Sequence, residues 1–295
     1  MEFGAVLPTT EIGNDTGAVR AWAQAAEDLG FDRIIAYDHV LGAVHADREP
    51  ALWGPYTEAD PFREPMVLFG YLAGVTTRVE LMTGVLILPQ RQTALVAKQA
   101  IEIDLLSDGR FILGVGTGWN WVEYDSLGIE YRTRAKRFDE QIELLRLLWE
   151  QPVVDYTGRY HRVDRAGLLP LPTRQIPIWF GGGSDAALQR SAAVGDGFFF
   201  GAAGGRTEGA LDRLRAMLTE AGRDPGAFAV GAQIHTGRGV EKCAAEAAGW
   251  KAAGGTHMSV STMSSTMLGA ISRPCVGVDD HISLLGESLQ MLRAL

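Results

Sequence analysis

Leu106-Ser-Asp-Gly-Arg-Phe-Ile-Leu-Gly-Val-Gly-Thr-Gly-Trp119 is the stretch on which the reading of this chain turns. A helix ends at Ser107, Asp108-Gly109 makes the turn, and Phe111 to Val115 is a short buried strand. That strand runs into a glycine-rich loop, Gly114-Val-Gly116-Thr-Gly118, closed by Trp119. Glycines at the carboxyl end of a parallel strand let a backbone approach something large and flat, or something anionic, that a Cβ would hold off. A helix, a strand and a ligand loop at the strand's carboxyl end form a unit of open α/β sheets and of barrels. A plain tight turn would leave the same local signature. A dinucleotide fingerprint fails because Trp119-Asn-Trp121 stands where a glycine should let the helix pack closely. No Gly-Lys-Ser/Thr follows, so a Walker-type loop is excluded.

Outward from this stretch, short apolar runs alternate with longer helical patterns. The predicted strands are Phe3–Leu7, Arg33–Tyr37, Val79–Leu86, Phe111–Val115, Ile178–Gly181, Gly197–Gly201, Ala229–Ile234 and His257–Ser261. Asn14 or Asp15 can cap the first long helix, whose Val19, Trp22, Ala23, Ala26 and Leu29 share one face, and Gly30 ends it. Further helices are expected at Pro65–Thr76, Thr93–Ser107, Arg134–Gln151, Asp185–Val194, Thr207–Ala221, Val240–Ala253 and Asp279–Leu292. Eight near-continuously apolar strands, each followed by a helix, predict an α/β fold of the (β/α)8 TIM-barrel type. No linker of Pro, Gly and Ser divides the chain, which favours a single domain over residues 1–295. Two inserted stretches stand out. Val40–Glu64 follows the second strand, on the catalytic face of such a barrel, and has the length of a lid. Gln151–Pro177 precedes the fifth strand and has room for a small hairpin. The stretch from Trp119 to Tyr131 reads as irregular and aromatic.

The 295 residues carry a net charge of −9, which argues against nucleic acid or an anionic membrane as the main partner. No apolar run is long enough to span a bilayer, and the amino terminus reads as a strand rather than a signal peptide. Cys243 and Cys275 are not spaced as ligands, so a cytoplasmic location with two inert thiols is expected. The histidines show no metal-site spacing, so no metal is expected. An organic cofactor is then expected to carry the chemistry, with the protein supplying position and electrostatics.

Three strand ends present candidate site residues. Tyr37-Asp38-His39 closes the second strand, where a histidine would give or take a proton. An Asp-His pair can simply cap a loop, but the barrel position favours the functional reading. Thr83-Gly84-Val85 interrupts an aliphatic strand, and a glycine there marks a bulge or a close backbone approach. Gly181-Gly182-Gly183-Ser184 opens directly into a helix, and free amides at such a terminus suit a phosphate, although Ser184 can equally be an N-cap.

Together these residues resemble the luciferase-like monooxygenase superfamily of flavin- and deazaflavin-dependent barrels. The resemblance rests on Ala25-Ala26-Glu27-Asp28-Leu29-Gly30-Phe31-Asp32 leading to Asp38-His39, on Thr83-Gly84-Val85, on the Ser107–Arg110 turn with Gly114–Trp119, and on Gly181–Gly183. The segment Thr256–Met263 is similar to the branch that uses the deazaflavin coenzyme F420. The resemblance implies that His39 is the proton donor or acceptor beside the reactive ring carbon and that Asp38 binds the ring's polar edge. It implies that Thr83, Gly84 and Val85 form a bulge behind the ring with a non-prolyl cis peptide at Gly84–Val85. Gly116, Thr117 and Gly118 would contact the ring or its side chain, and Gly181, Gly182, Gly183 and Ser184 the phosphate. Trp119 stands where the sugar-phosphate dehydrogenase of the group has Glu, which implies a less polar substrate pocket walled by Trp53, Trp119 and Trp121. The expected activity is hydride transfer between F420 and a small-molecule substrate. An FMN-dependent monooxygenase using oxygen is the alternative, and a catalytically silent flavin-binding barrel a second. A homodimer burying the second and third barrel helices is implied by the same resemblance.

Overall fold

The computed structural model describes residues 1–264 and 274–295. In chain order its elements are β1 (Glu2–Val6), α1 (Thr9–Ile12), α2 (Thr16–Leu29), β2 (Arg33–Ala36), α3 (Pro65–Ala73), β3 (Glu80–Thr83), β4 (Leu86–Ile87), α4 (Thr93–Leu106), β5 (Phe111–Gly116), α5 (Trp121–Ser126), α6 (Arg134–Glu150), β6 (Val154–Thr157), β7 (Arg162–Ala166), β8 (Ile178–Gly181), α7 (Asp185–Val194), β9 (Gly197–Phe199), α8 (Gly205–Glu220), β10 (Ala229–His235), α9 (Val240–Ala252), β11 (His257–Ser261) and α10 (Val278–Ala294).

Strand order β3-β2-β1-β11-β10-β9-β8-β5, with β5 returning to pair with β3, closes an eight-stranded ring. Every pairing in it is parallel. This is the expected (β/α)8 barrel, and the short β4 is a continuation of β3 that pairs with β5 beyond a break at Gly84–Val85. That peptide is cis, as the resemblance implied.

Alternation along each strand builds two cores. Val6, Ile35, Met82, Ile112, Trp179 and Phe199 form one cluster; successive members from Val6 to Ile112 are register partners on neighbouring strands, so they point the same way. Their strand neighbours, such as Ala5, Ile34, Leu81 and Phe111, join the larger cluster with the helices. The amino-terminal mouth of the ring is closed by Arg33, paired with Glu80 at 2.6 Å and Glu2 at 3.2 Å, with its guanidinium over the Trp179 ring.

Local signals behave as their chemistry demands. Asp15 is the cap of α2, accepting from the N–H groups of Gly17 and Ala18, and Gly30 ends the helix with φ 95°. In the turn before β5, Asp108 and Gly109 both take positive φ. Arg110 then reaches back to the carbonyls of Ala73, Thr76 and Val79, tying β5 to the end of α3. The second insertion contains the antiparallel pair β6–β7. One expectation fails: the stretch after Trp119 is not irregular. Asn120 caps α5 by accepting from the Glu123 N–H, so a polar residue three positions ahead of a carboxylate starts a short helix among the aromatics. Among the described residues no helix is long and apolar enough to cross a membrane.

Candidate active site

His39 lies just past the carboxyl end of β2, where the first insertion folds back over it. Its ring is only 10% exposed. Tyr56 and Phe62 of the insertion stand edge-on to it at 5.5 and 4.8 Å, and Trp119 at 5.5 Å. Gly54 is pressed on the Trp119 indole so closely that an added Cβ would lie 2.2 Å from it. The insertion therefore packs as a cover on the carboxyl-terminal face of the barrel, pinned at Gly54, at His39 and by Arg63, which reaches Thr16 at 3.0 Å.

Facing His39 from the other side is Glu123 of α5, buried to 1% exposure, with a carboxylate oxygen 3.4 Å from Nδ1. The same carboxylate accepts from the backbone N–H groups of Val40 and Leu41. Burial alone would push the Glu123 carboxyl up. The His39 ring and the two amides outweigh it and hold the group below its ordinary range, as an anion. Sequence reading missed Glu123. The signal that could have found it is Asn120-Trp-Val-Glu123, the spacing of a helix start directly after the glycine loop.

Asp38, expected at a ring's polar edge, is turned into the protein instead. One oxygen accepts from the Ile87 N–H at 2.8 Å and the other from Arg91 at 2.7 Å, and the side chain is 1% exposed. A carboxylate beside a buried guanidinium is held inward, so its role is to anchor β4 and the turn after it. Thr83 likewise turns inward, its hydroxyl donating to the Gly114 carbonyl at 2.6 Å.

The glycines at the ends of β5 and β8 make room for Val85. A Cβ on Gly116 would come within 2.6 Å of one Val85 methyl, and a Cβ on Gly181 within 2.7 Å of the other. Val85 itself is half-buried, so the surface offered to a flat ligand here is its isopropyl group rather than bare backbone. Gly118, at φ 63°, fits over Ile87, and the Thr117 carbonyl accepts from Tyr124 at 2.6 Å.

Beyond Gly181 the wall opens. Gly182 and Gly183, with Gly201, Gly205, Arg206 and Arg213, line a groove of about 540 Å³. Added Cβ atoms at Gly183, Gly201 and Gly205 would meet nothing within 4 Å, so these glycines leave free space rather than fill a packing need. Ser184 is the N-cap of α7, accepting from Ala187 at 3.3 Å. Two exposed cations line the groove: Arg213, paired with Asp185, and Arg206, in the first turn of α8, whose terminus has no side-chain cap. Sequence reading passed over this second glycine loop, Gly201-Ala-Ala-Gly204-Gly205-Arg206. Polar groups link this groove to the aromatic cage around His39: half-buried Tyr37, its ring 6.4 Å from that of Tyr56, donates to buried Gln233 at 2.7 Å, and Gln233 donates to the Gly201 carbonyl at 3.2 Å. Glycines leaving open space, a cation at an uncapped helix terminus and an enclosed imidazole have the makings of a site for a long ligand with an anionic end.

The three tryptophans part company. Trp119 is in the cage, and Trp121 sits under the Arg48 guanidinium at 5.7 Å. Trp53 is 83% exposed on the outside of the cover, so it does not wall a pocket in this arrangement.

Comparison with known proteins agrees with this architecture. An uncharacterised protein of Mycobacterium tuberculosis is 37% identical over 205 residues, covering 66% of this chain and 68% of the relative. Pyrimidine monooxygenase RutA of Allorhizobium ampelinum is 34% identical over 234 residues, 76% of this chain but only 59% of that longer relative. An F420-dependent secondary alcohol dehydrogenase, solved with an F420–acetone adduct, superposes with a TM-score of 0.78 over 99% of both chains at 18% identity, a likeness of fold. The sequence model of the luciferase-like monooxygenases matches residues 1–260, and with its closed parallel barrel the chain belongs to this family of oxidoreductases.

Proposed function

We propose that this protein is a deazaflavin-dependent oxidoreductase that moves a hydride between coenzyme F420 and a small organic substrate. The observation that carries the reading is His39, enclosed by Tyr56, Phe62 and Trp119 and backed by the Glu123 carboxylate. When hydride leaves a carbinol carbon, the hydroxyl proton must go elsewhere, and in the reverse direction a proton must be supplied. An imidazole can do both, its neutral ring nitrogen taking a proton and its protonated form giving one. The coenzyme, when bound, supplies hydride chemistry at its ring. Val85 would support the ring's rear face, and Gly182, Gly183 and Arg206 would take the phosphate end. The aromatic cage favours an uncharged, compact substrate. The family's structural neighbours include the F420-dependent alcohol dehydrogenase, which supports the same reading.

A second reading, an FMN-dependent monooxygenase using oxygen, is favoured by the identity with RutA. Fluorescence titration of the purified protein with each coenzyme separates the two. Tighter binding of F420 is expected; stoichiometric FMN in protein from a host without F420, or FMN binding tenfold tighter, overturns the assignment.

A further inference from the structure

We infer that Glu123 is the positioning residue of this site, and that its two carboxylate oxygens divide the work: Oε1 latches the first turn of the cover while Oε2 sets the tautomer of His39. The inference rests on the reading of His39 as the proton-handling group.

The geometry separates the tasks. Oε1 accepts from the N–H of Val40 and, at 3.1 Å, from the N–H of Leu41. Oε2 faces only the ring, at 3.4 Å from Nδ1. An ionised carboxylate has no proton to give, so a neutral His39 meets it by donating from Nδ1–H. The proton is thereby held at Nδ1, and Nε2 keeps the lone pair that accepts a proton from substrate. At 3.4 Å the contact is at the long end of the hydrogen-bond range, and Oε2 is the acceptor it has. Asn120 completes the latch, donating from Nδ2 to the Leu41 carbonyl at 3.2 Å while its Oδ1 caps α5 at Glu123. The segment from Trp119 to Glu123 thus grips the cover at two places, at its start through Asn120 and Glu123, and at Gly54 through the indole. Because that segment continues directly from Gly116–Gly118, the glycine loop, the cover and the histidine are one mechanical unit.

The division of labour gives Glu123→Gln an unusual expected outcome. Its Oε1 still accepts from Val40 and Leu41, so the cover stays latched. Its Nε2, a donor, now faces His39 Nδ1, which must become an acceptor, and the ring proton moves to His39 Nε2. The experiment is ¹⁵N NMR of histidine-labelled full-length protein at alkaline pH, with the His39 signals assigned by their loss in His39→Ala. Wild type is expected to carry the proton on Nδ1 and Glu123→Gln on Nε2. Amide exchange at Val40 and Leu41 is expected within about twofold of wild type in the variant, because the latch survives. Turnover is expected to fall about 10²- to 10⁴-fold, the range for losing an acid–base group. A wild-type His39 with its proton on Nε2 overturns the inference, as does a variant whose tautomer is unchanged. If Glu123→Gln does not fold, the wild-type tautomer decides alone. The readout does not depend on which coenzyme binds, so failure of the F420 assignment leaves it intact.

Discussion

At the scale of single residues, the site is a matter of which polar groups are already spoken for. Asp38 and His39 are adjacent in sequence yet end in opposite roles. Asp38 is consumed by Ile87 and Arg91, while His39 stands in the cage with one nitrogen directed at a carboxylate. His39→Ala is therefore expected to leave the fold and most coenzyme affinity intact, since the cover is also held by Glu123 at Val40 and Leu41, by Trp119 at Gly54 and by Arg63, and to lower kcat about 10²- to 10⁴-fold. Circular dichroism, fluorescence titration and steady-state rates check the three parts, and near-wild-type turnover would remove His39 from the mechanism. His39 was legible because a histidine at the end of a barrel strand has little else to do. Glu123 was not, because its partner is 84 residues away and only the folded cover brings them together.

Among elements, the decisive contact is Val85 against the glycines of two neighbouring strands. Gly116 ends β5 and Gly181 ends β8, and both lack a Cβ where a Val85 methyl sits. Gly181→Ala is expected to destabilise the protein by about 1–3 kcal/mol, the usual cost of overpacking. Val85→Ala in the same chain removes the obstructing methyls and is expected to recover most of the loss, because the two sites share one contact. Denaturant unfolding of wild type, both single variants and the double variant measures the coupling. Additive effects would show that the glycines serve something other than Val85. Sequence reading took Gly116 as a close-approach signal and Gly181 as part of a phosphate loop, but the group that comes near both is Val85 of the same chain. A glycine records that something comes near and not what it is.

Across the whole molecule, the barrel places the cage and the groove on the same rim, joined through Tyr37, Gln233 and the Gly201 carbonyl. A ligand long enough to span them would carry its anionic end to Arg206. Arg206→Ala is expected to weaken coenzyme binding about tenfold or more, the scale of one charge-assisted hydrogen bond. The loss should shrink at high salt, where an exposed charge is screened. Titration at low and high ionic strength checks both, and unchanged affinity at low salt would place the phosphate elsewhere. Arg213, which is paired with Asp185 at 3.0 Å, is expected to matter less.

The eight strands, their helices and the hairpin insertion followed from the sequence because each rests on a local pattern. Apolar runs buried on both faces, Asp15 and Gly30 at helix ends, and the Asp108-Gly109 turn need no distant partner to be recognised. The placement of His39 followed for the same reason, since a strand's end is fixed once the strand is. What only the tertiary structure decided were the pairings between segments far apart. They include Glu123 with His39 and the cover, Val85 between Gly116 and Gly181, Asp38 with Arg91, and Trp53 turned outward while Trp119 turns in. A side chain's type declares what it can bond to, but its partner is chosen by burial, which forces each desolvated polar group to take whatever acceptor or donor the closed barrel brings within reach.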